Sequence, residues 1–138
     1  MLDWVPSAPY TAEQLLEVLR ILRDPENGCP WDKVQTHASI RKNFLEETCE
    51  VLEAIDADDP AMLREELGDV LFAAVRVAST LERDPEQALH AACEKFIRRF
   101  TAMEQTALAE GRPLETLSKD ELLAGWNAQK RVVPGGEQ

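Results

Sequence analysis

The chain has 138 residues, enough for one domain with a real core and too few for two. Its 26 acidic and 15 basic residues give a formal charge of -11, so its surface repels polyanions and a nucleic-acid polymer is excluded as a partner. A small anion that arrives with its own metal ion is not excluded.

Residues 1 to 10 carry two prolines and no hydrophobic period, which predicts an irregular arm, and Met1-Leu2-Asp3-Trp4-Val5-Pro6 has neither a basic nor an apolar targeting region. The first helix starts at Thr11, with Gln14 placed for a capping box, and runs along Leu15, Leu16, Val18, Leu19 and Leu22. Asp24-Pro25-Glu26-Asn27-Gly28-Cys29-Pro30 breaks it, and the loop continues through Trp31 to Thr36. That is longer than a simple helix connection needs, and long ordered loops are commonly functional.

The second helix is expected from about His37 to Ile55, with Ile40, Phe44, Val51, Leu52 and Ile55 on its apolar arc. Asp56-Ala57-Asp58-Asp59-Pro60 then stops the chain and restarts it, since an Asp cap followed by Pro suits the first helical turn. The third helix runs from Pro60 to about Leu81, with Leu63, Leu67, Val70, Leu71, Ala74 and Val77 as its core face. Asp84-Pro85 opens a fourth helix ending at Gly111, and Ser118 with Glu121 caps a fifth that carries Trp126 and Lys130. The longest apolar run, Val70 to Val75, stops at Arg76, too short to span a bilayer. Residues 132–138 are an expected disordered tail, and residues 11–131 one helical domain. The fold class is therefore all-α, an antiparallel bundle of about five helices, in a cytoplasmic protein that makes no membrane contact.

The acidic residues of the second and third helices carry the chemistry. Residues three apart share a helix face, so Glu47 with Glu50, and Glu66 with Asp69, form two matched pairs. With the turn centred near residue 58, Glu50 and Glu66 lie eight residues on either side, and Glu47 and Asp69 eleven. All four carboxylates then meet at one level. A row of acids is ordinarily a solvated helix face, but the matched spacing on two helices favours a bound cation, and oxygen-only donors select Mg²⁺ or Mn²⁺. The same counting about a turn near residue 84 brings Arg99 level with Asp69, with Lys95 one turn away. Such cations suit a polyphosphate, although a structural salt bridge to the third helix is an equal alternative for each.

Cys29, Cys49 and Cys93 form neither a disulfide framework nor a zinc pattern, and Cys49 reads as a small buried apolar residue. A di-iron bundle would need Glu three residues before a histidine, which neither His37 nor His90 has.

Glu46-Glu47-Thr48-Cys49-Glu50, fifteen intervening residues and then Glu66-Leu67-Gly68-Asp69 resemble the E-E-x-x-E … E-x-x-D signature of the MazG-type nucleoside triphosphate pyrophosphohydrolases. Gly28-Cys29-Pro30-Trp31-Asp32 with Gln35-Thr36-His37 is similar to the loop that precedes it, and Lys95 to Phe100, Trp126 and Lys130 fall where such proteins contact nucleotide. The likeness spans about residues 12 to 131 and departs at Cys49, where an aromatic is common. It implies a bundle completed by self-association, as a homodimer or homotetramer, and hydrolysis of a nucleoside triphosphate to monophosphate and pyrophosphate. On that likeness Glu47, Glu50, Glu66 and Asp69 hold Mg²⁺ and Glu46 orients the attacking water. Lys95 and Arg99 hold phosphates, and Trp126, Lys130 and Trp31 contact the substrate. A dimeric dUTPase or a phosphoribosyl-ATP pyrophosphohydrolase would share these carboxylates, whereas a non-catalytic acidic helical module would need no metal.

Overall fold

The computed structural model describes residues 8–132, which form five α-helices and, among the described residues, no strand: α1 (Ala12–Leu22), α2 (Arg41–Asp56), α3 (Pro60–Thr80), α4 (Pro85–Ala109) and α5 (Lys119–Val132). Short 3-10 turns occupy Asp32–Val34 and Leu114–Thr116, which periodicity does not reveal. No described helix is long and apolar enough to cross a membrane. The expected tail from 133 onward and residues 1 to 7 of the expected arm lie outside the described residues.

Local signals set most boundaries. Thr11 and Gln14 close a reciprocal capping box at the start of α1, each side chain accepting from the other's backbone N–H. Asp59 accepts from the N–H groups of Ala61 and Met62 at 3.0 and 3.1 Å, with Pro60 as the first helical residue of α3. The turn between α2 and α3 passes through Asp58 in the left-handed region, at φ 52°, where a short polar side chain is tolerated. Gly111, at φ 70°, follows the end of α4 as the spacing predicts. One boundary differs: α2 starts at Arg41, four residues after the expected His37. Thr36 and Ser39 accept from each other's backbone N–H groups, at 2.9 and 3.2 Å, and hold residues 37–40 in a separate turn.

The chain divides into two compact units between Ala88 and Leu89, within α4. In the first, α2 and α3 pack as an antiparallel hairpin, and α1 lies on α3 through a core of Leu16, Leu19 and Val75 flanked by Ala12 and Leu15. Ile40, Ala54 and Ala73 are also buried. Several expected core residues are not: Phe44, Leu52 and Ile55 of α2 and Leu67 and Leu71 of α3 are exposed, as is Ala74. Periodicity correctly finds one apolar face on each helix, but α1 is short and covers only part of the hairpin.

In the second unit Met103 and Ala107 are buried on α4, and Gly125 of α5 faces Met103 so closely that a Cβ there would lie 3.2 Å from its Cγ. Phe96 packs on Trp126 with ring centroids 5.3 Å apart. Ser118 and Glu121 form the expected capping box, and Glu121 also takes a 2.7 Å ion pair from Arg112. The guanidinium and the Ser118 groups hold the Glu121 carboxyl down to about 2, against an ordinary 4.5. A depressed carboxyl stabilises the fold above its ordinary value and loses that contribution as pH falls through its folded value. Acidification from 4.5 to about 2 should therefore loosen the start of α5, and amide exchange there should respond less in Glu121→Gln than in the parent chain.

Candidate metal centre on α2 and α3

The hairpin brings three of the four paired acids together. Carboxylate oxygens of Glu47, Glu66 and Asp69 all lie within 4.8 Å of one another, with Glu47 and Glu66 half-buried and Asp69 exposed. Glu50, outside that trio, is close enough to Glu66 for its charge to act on the Glu66 carboxyl. Burial first, and then the charge of Glu50, push the Glu66 carboxyl above the ordinary range, with Glu65 and Asp69 adding to it. Glu47, Glu66 and Asp69 lie close enough together to share one cation.

The donors are all carboxylate oxygens, so they fit a hard divalent ion and offer nothing to a thiophilic metal. Oxygens at about 2.1 Å from Mg²⁺ span at most about 4.2 Å across the ion, so only small side-chain rotations separate the present trio from that spacing. One further side chain supports it. Asn43, one turn before Glu47 on α2, donates its amide N–H to Glu47 Oε1 at 3.0 Å. It fixes which way that carboxylate faces, as outer partners of metal ligands do. The spacing of four residues from Asn43 to Glu47 was a readable signal that the acid pattern overshadowed.

Glu46 stands apart from the trio. It is exposed and pairs with Lys42 across one helical turn at 3.5 Å. Cys49, expected to be buried, is exposed as well, because its position on α2 falls outside the arc covered by α3. Trp31 belongs to the first unit, on the loop between α1 and α2, and meets α3: the Arg76 guanidinium carbon lies 5.5 Å from its ring centre and 5.1 Å from that of Phe72. The loop is held in two other ways. Arg23 donates to the Gln35 carbonyl at 2.8 Å, and Gly28 sits where a Cβ would run into the Leu22 and Asp24 carbonyls. Lys95, Arg99, Trp126 and Lys130 are in the second unit. Lys95 and Arg99 are half-buried four residues apart on one face of α4, and on α5 Trp126 is half-buried with the exposed Lys130 four residues further on.

The model of the MazG nucleotide pyrophosphohydrolase domain matches residues 35–103, half of the chain, and this segment contains all four clustered acids together with Lys95 and Arg99. The chain belongs to the MazG family. Trp31, Trp126 and Lys130 fall outside the matched segment. Among curated relatives, a nucleoside triphosphate pyrophosphohydrolase of Escherichia coli is 40% identical over 122 residues, 86% of this chain and 44% of that protein. The nucleoside triphosphate pyrophosphohydrolase/pyrophosphatase MazG of Thermotoga maritima is 43% identical over 91 residues, 63% of this chain and 35% of the relative. A nucleoside triphosphate pyrophosphohydrolase of Mycobacterium tuberculosis is 31% identical over 129 residues, 90% of this chain and 38% of the relative. The MazG chain described here spans less than half the length of each of these three proteins.

Proposed function

We propose that this MazG chain hydrolyses nucleoside triphosphates between the α- and β-phosphates, releasing nucleoside monophosphate and pyrophosphate, with Mg²⁺ or Mn²⁺ as its metal. The observation that carries this reading is the convergence of Glu47, Glu66 and Asp69 with Glu50 across the α2–α3 hairpin, in a chain of this family. Mg²⁺ held there would activate water and neutralise charge developing on the phosphate oxygens. The chain's own residues supply the rest. Asn43 orients Glu47, and the Glu50 charge beside Glu66 is a repulsion that a bound cation would relieve. Glu46 is the acid left outside the trio, and its carboxylate is free to leave the exposed Lys42 pair to orient water, since such pairs contribute little. Lys95 and Arg99 are the residues assigned to the phosphate oxygens, and Trp126 and Lys130 to the nucleotide, which in this reading is bound in the cytoplasm. No glycine-rich phosphate loop is present in the sequence, so side chains and metal must hold the phosphates.

The assignment is tested by product analysis across a panel of nucleoside triphosphates with and without Mg²⁺. Monophosphate and pyrophosphate should appear in equal amounts, only with metal. Orthophosphate with diphosphate would place the cut at the wrong bond, and a chain that releases nothing and whose melting ignores Mg²⁺ would be an acidic interaction module.

The reading extends to assembly: the active form is a homodimer or homotetramer packed through α2 and α3. The exposed apolar side chains Phe44, Leu52, Ile55, Leu67 and Leu71 support this, because they lie on the two helices that carry the acids.

A further inference from the structure

Asn43 sets a neutral amide against the acid cluster, its Nδ2 donating to Glu47 Oε1 at 3.0 Å. Chemistry fixes the direction of that bond, because an ionised carboxylate only accepts and the amide must turn its nitrogen toward it. The two residues stand four apart on one face of α2, and both are half-buried, which shelters the bond from competing water. Asn43 comes three residues before the Glu46-Glu47 pair and is no part of the acid signature.

The consequence for a cation lies in how many oxygens Glu47 can offer. Asn43 draws Oε1 back along α2, away from the hairpin turn, whereas Glu66 lies on the turn side; Oε2 takes no part in that bond. Ca²⁺ gathers about six to eight oxygens and often takes both from one carboxylate, while Mg²⁺ is smaller, demands about six in a strict octahedron and keeps several waters among them. A carboxylate with one oxygen engaged suits the second ion better than the first.

We propose that Asn43 is a positioning residue that keeps Glu47 a one-oxygen donor, and that it thereby makes the centre on α2 and α3 select Mg²⁺ or Mn²⁺ against Ca²⁺. The inference rests on the metal reading above and adds how the site tells hard cations apart. The acids alone do not decide this, since an all-oxygen donor set also suits Ca²⁺. With Oε1 held, Glu47, Glu66 and Asp69 give one oxygen each, the set found within 4.8 Å, and the other positions on the ion are left to further oxygens and water. Released, the Glu47 carboxylate can turn both oxygens onto a larger ion.

The test measures binding of Mg²⁺, Mn²⁺ and Ca²⁺ to the nucleotide-free protein, by calorimetry and by metal-induced melting shift, with helicity as the check on folding. Leucine and alanine suit a helix better than asparagine, so Asn43→Leu and Asn43→Ala should both fold, and either one serves the test. Each should lower the preference for Mg²⁺ over Ca²⁺ by about tenfold or more, through weaker Mg²⁺ binding with Ca²⁺ binding held or tightened. Asn43→Gln, which keeps an amide on a longer arm, should recover part of the preference. Adding Asn43→Leu to Glu47→Gln should leave the preference where Glu47→Gln alone puts it, because the asparagine acts through that carboxylate. Equal weakening of all three ions in Asn43→Leu, or no change in any, overturns the role in selection. Wild type that binds no divalent cation would instead overturn the metal centre itself.

Discussion

Glu50→Gln and Glu66→Gln should each abolish Mg²⁺-dependent turnover while leaving the metal-free protein as stable as wild type or more so. Burial together with the charge of Glu50 across the hairpin pushes Glu66 above the ordinary carboxylate range. The Glu50 charge thus disfavours a charged Glu66 in the metal-free fold, and an amide in place of either removes the repulsion while keeping the shape. The same substitution withdraws a donor from the cation, so stability and activity move in opposite directions. Glu53 is the internal control: it lies one turn beyond Glu50 on α2, is exposed and belongs to no acidic cluster found among the described residues. Glu53→Gln should change activity little and stability by no more than about 0.5 kcal/mol. Turnover and metal-free melting temperature of the three variants are the measurement. Equal and mild effects at all three positions would reduce the cluster to a charged helix face.

The acid cluster was readable from the chain because every step in it is local. Helical spacing pairs Glu47 with Glu50 and Glu66 with Asp69, Asp59-Pro60 fixes where the chain turns, and counting outward from residue 58 brings the pairs together. The core was less readable. Leu52, Ile55, Leu67 and Leu71 have the right period for burial, but period identifies a face that avoids water and is silent on what covers it. Arg76 shows the opposite limit. In the sequence it is only the charge that ends the apolar run from Val70, whereas in the fold two rings enclose it, one of them Trp31 from a loop 45 residues earlier. No spacing rule reaches across that distance, and the 3-10 turn at Asp32–Val34 that helps shape the loop has no hydrophobic period to announce it.

In the proposed assembly through α2 and α3, Leu71→Glu should separate the copies into monomers and remove most of the turnover. Leu71 is 60% exposed on α3 and Leu67, one turn before it, 49%, while Leu52 and Ile55 of the paired helix are 55% and 54% exposed. These side chains have nothing to lose by a charge within their own chain, where a substitution at an exposed position costs about 0.5 kcal/mol or less. At an interface packed by α2 and α3 the same charge would be buried without a partner, in a symmetric dimer once from each copy, and that penalty is several times larger. The helices involved are those that carry Glu47, Glu50, Glu66 and Asp69, so separating the copies should also disturb the acids' spacing and open one side of the nucleotide site to water. Light scattering and turnover, measured on the same samples with helicity as the check on folding, decide the point. The proposal of an obligate assembly fails if wild type scatters as a monomer and is fully active, or if Leu71→Glu keeps both its partners and its rate.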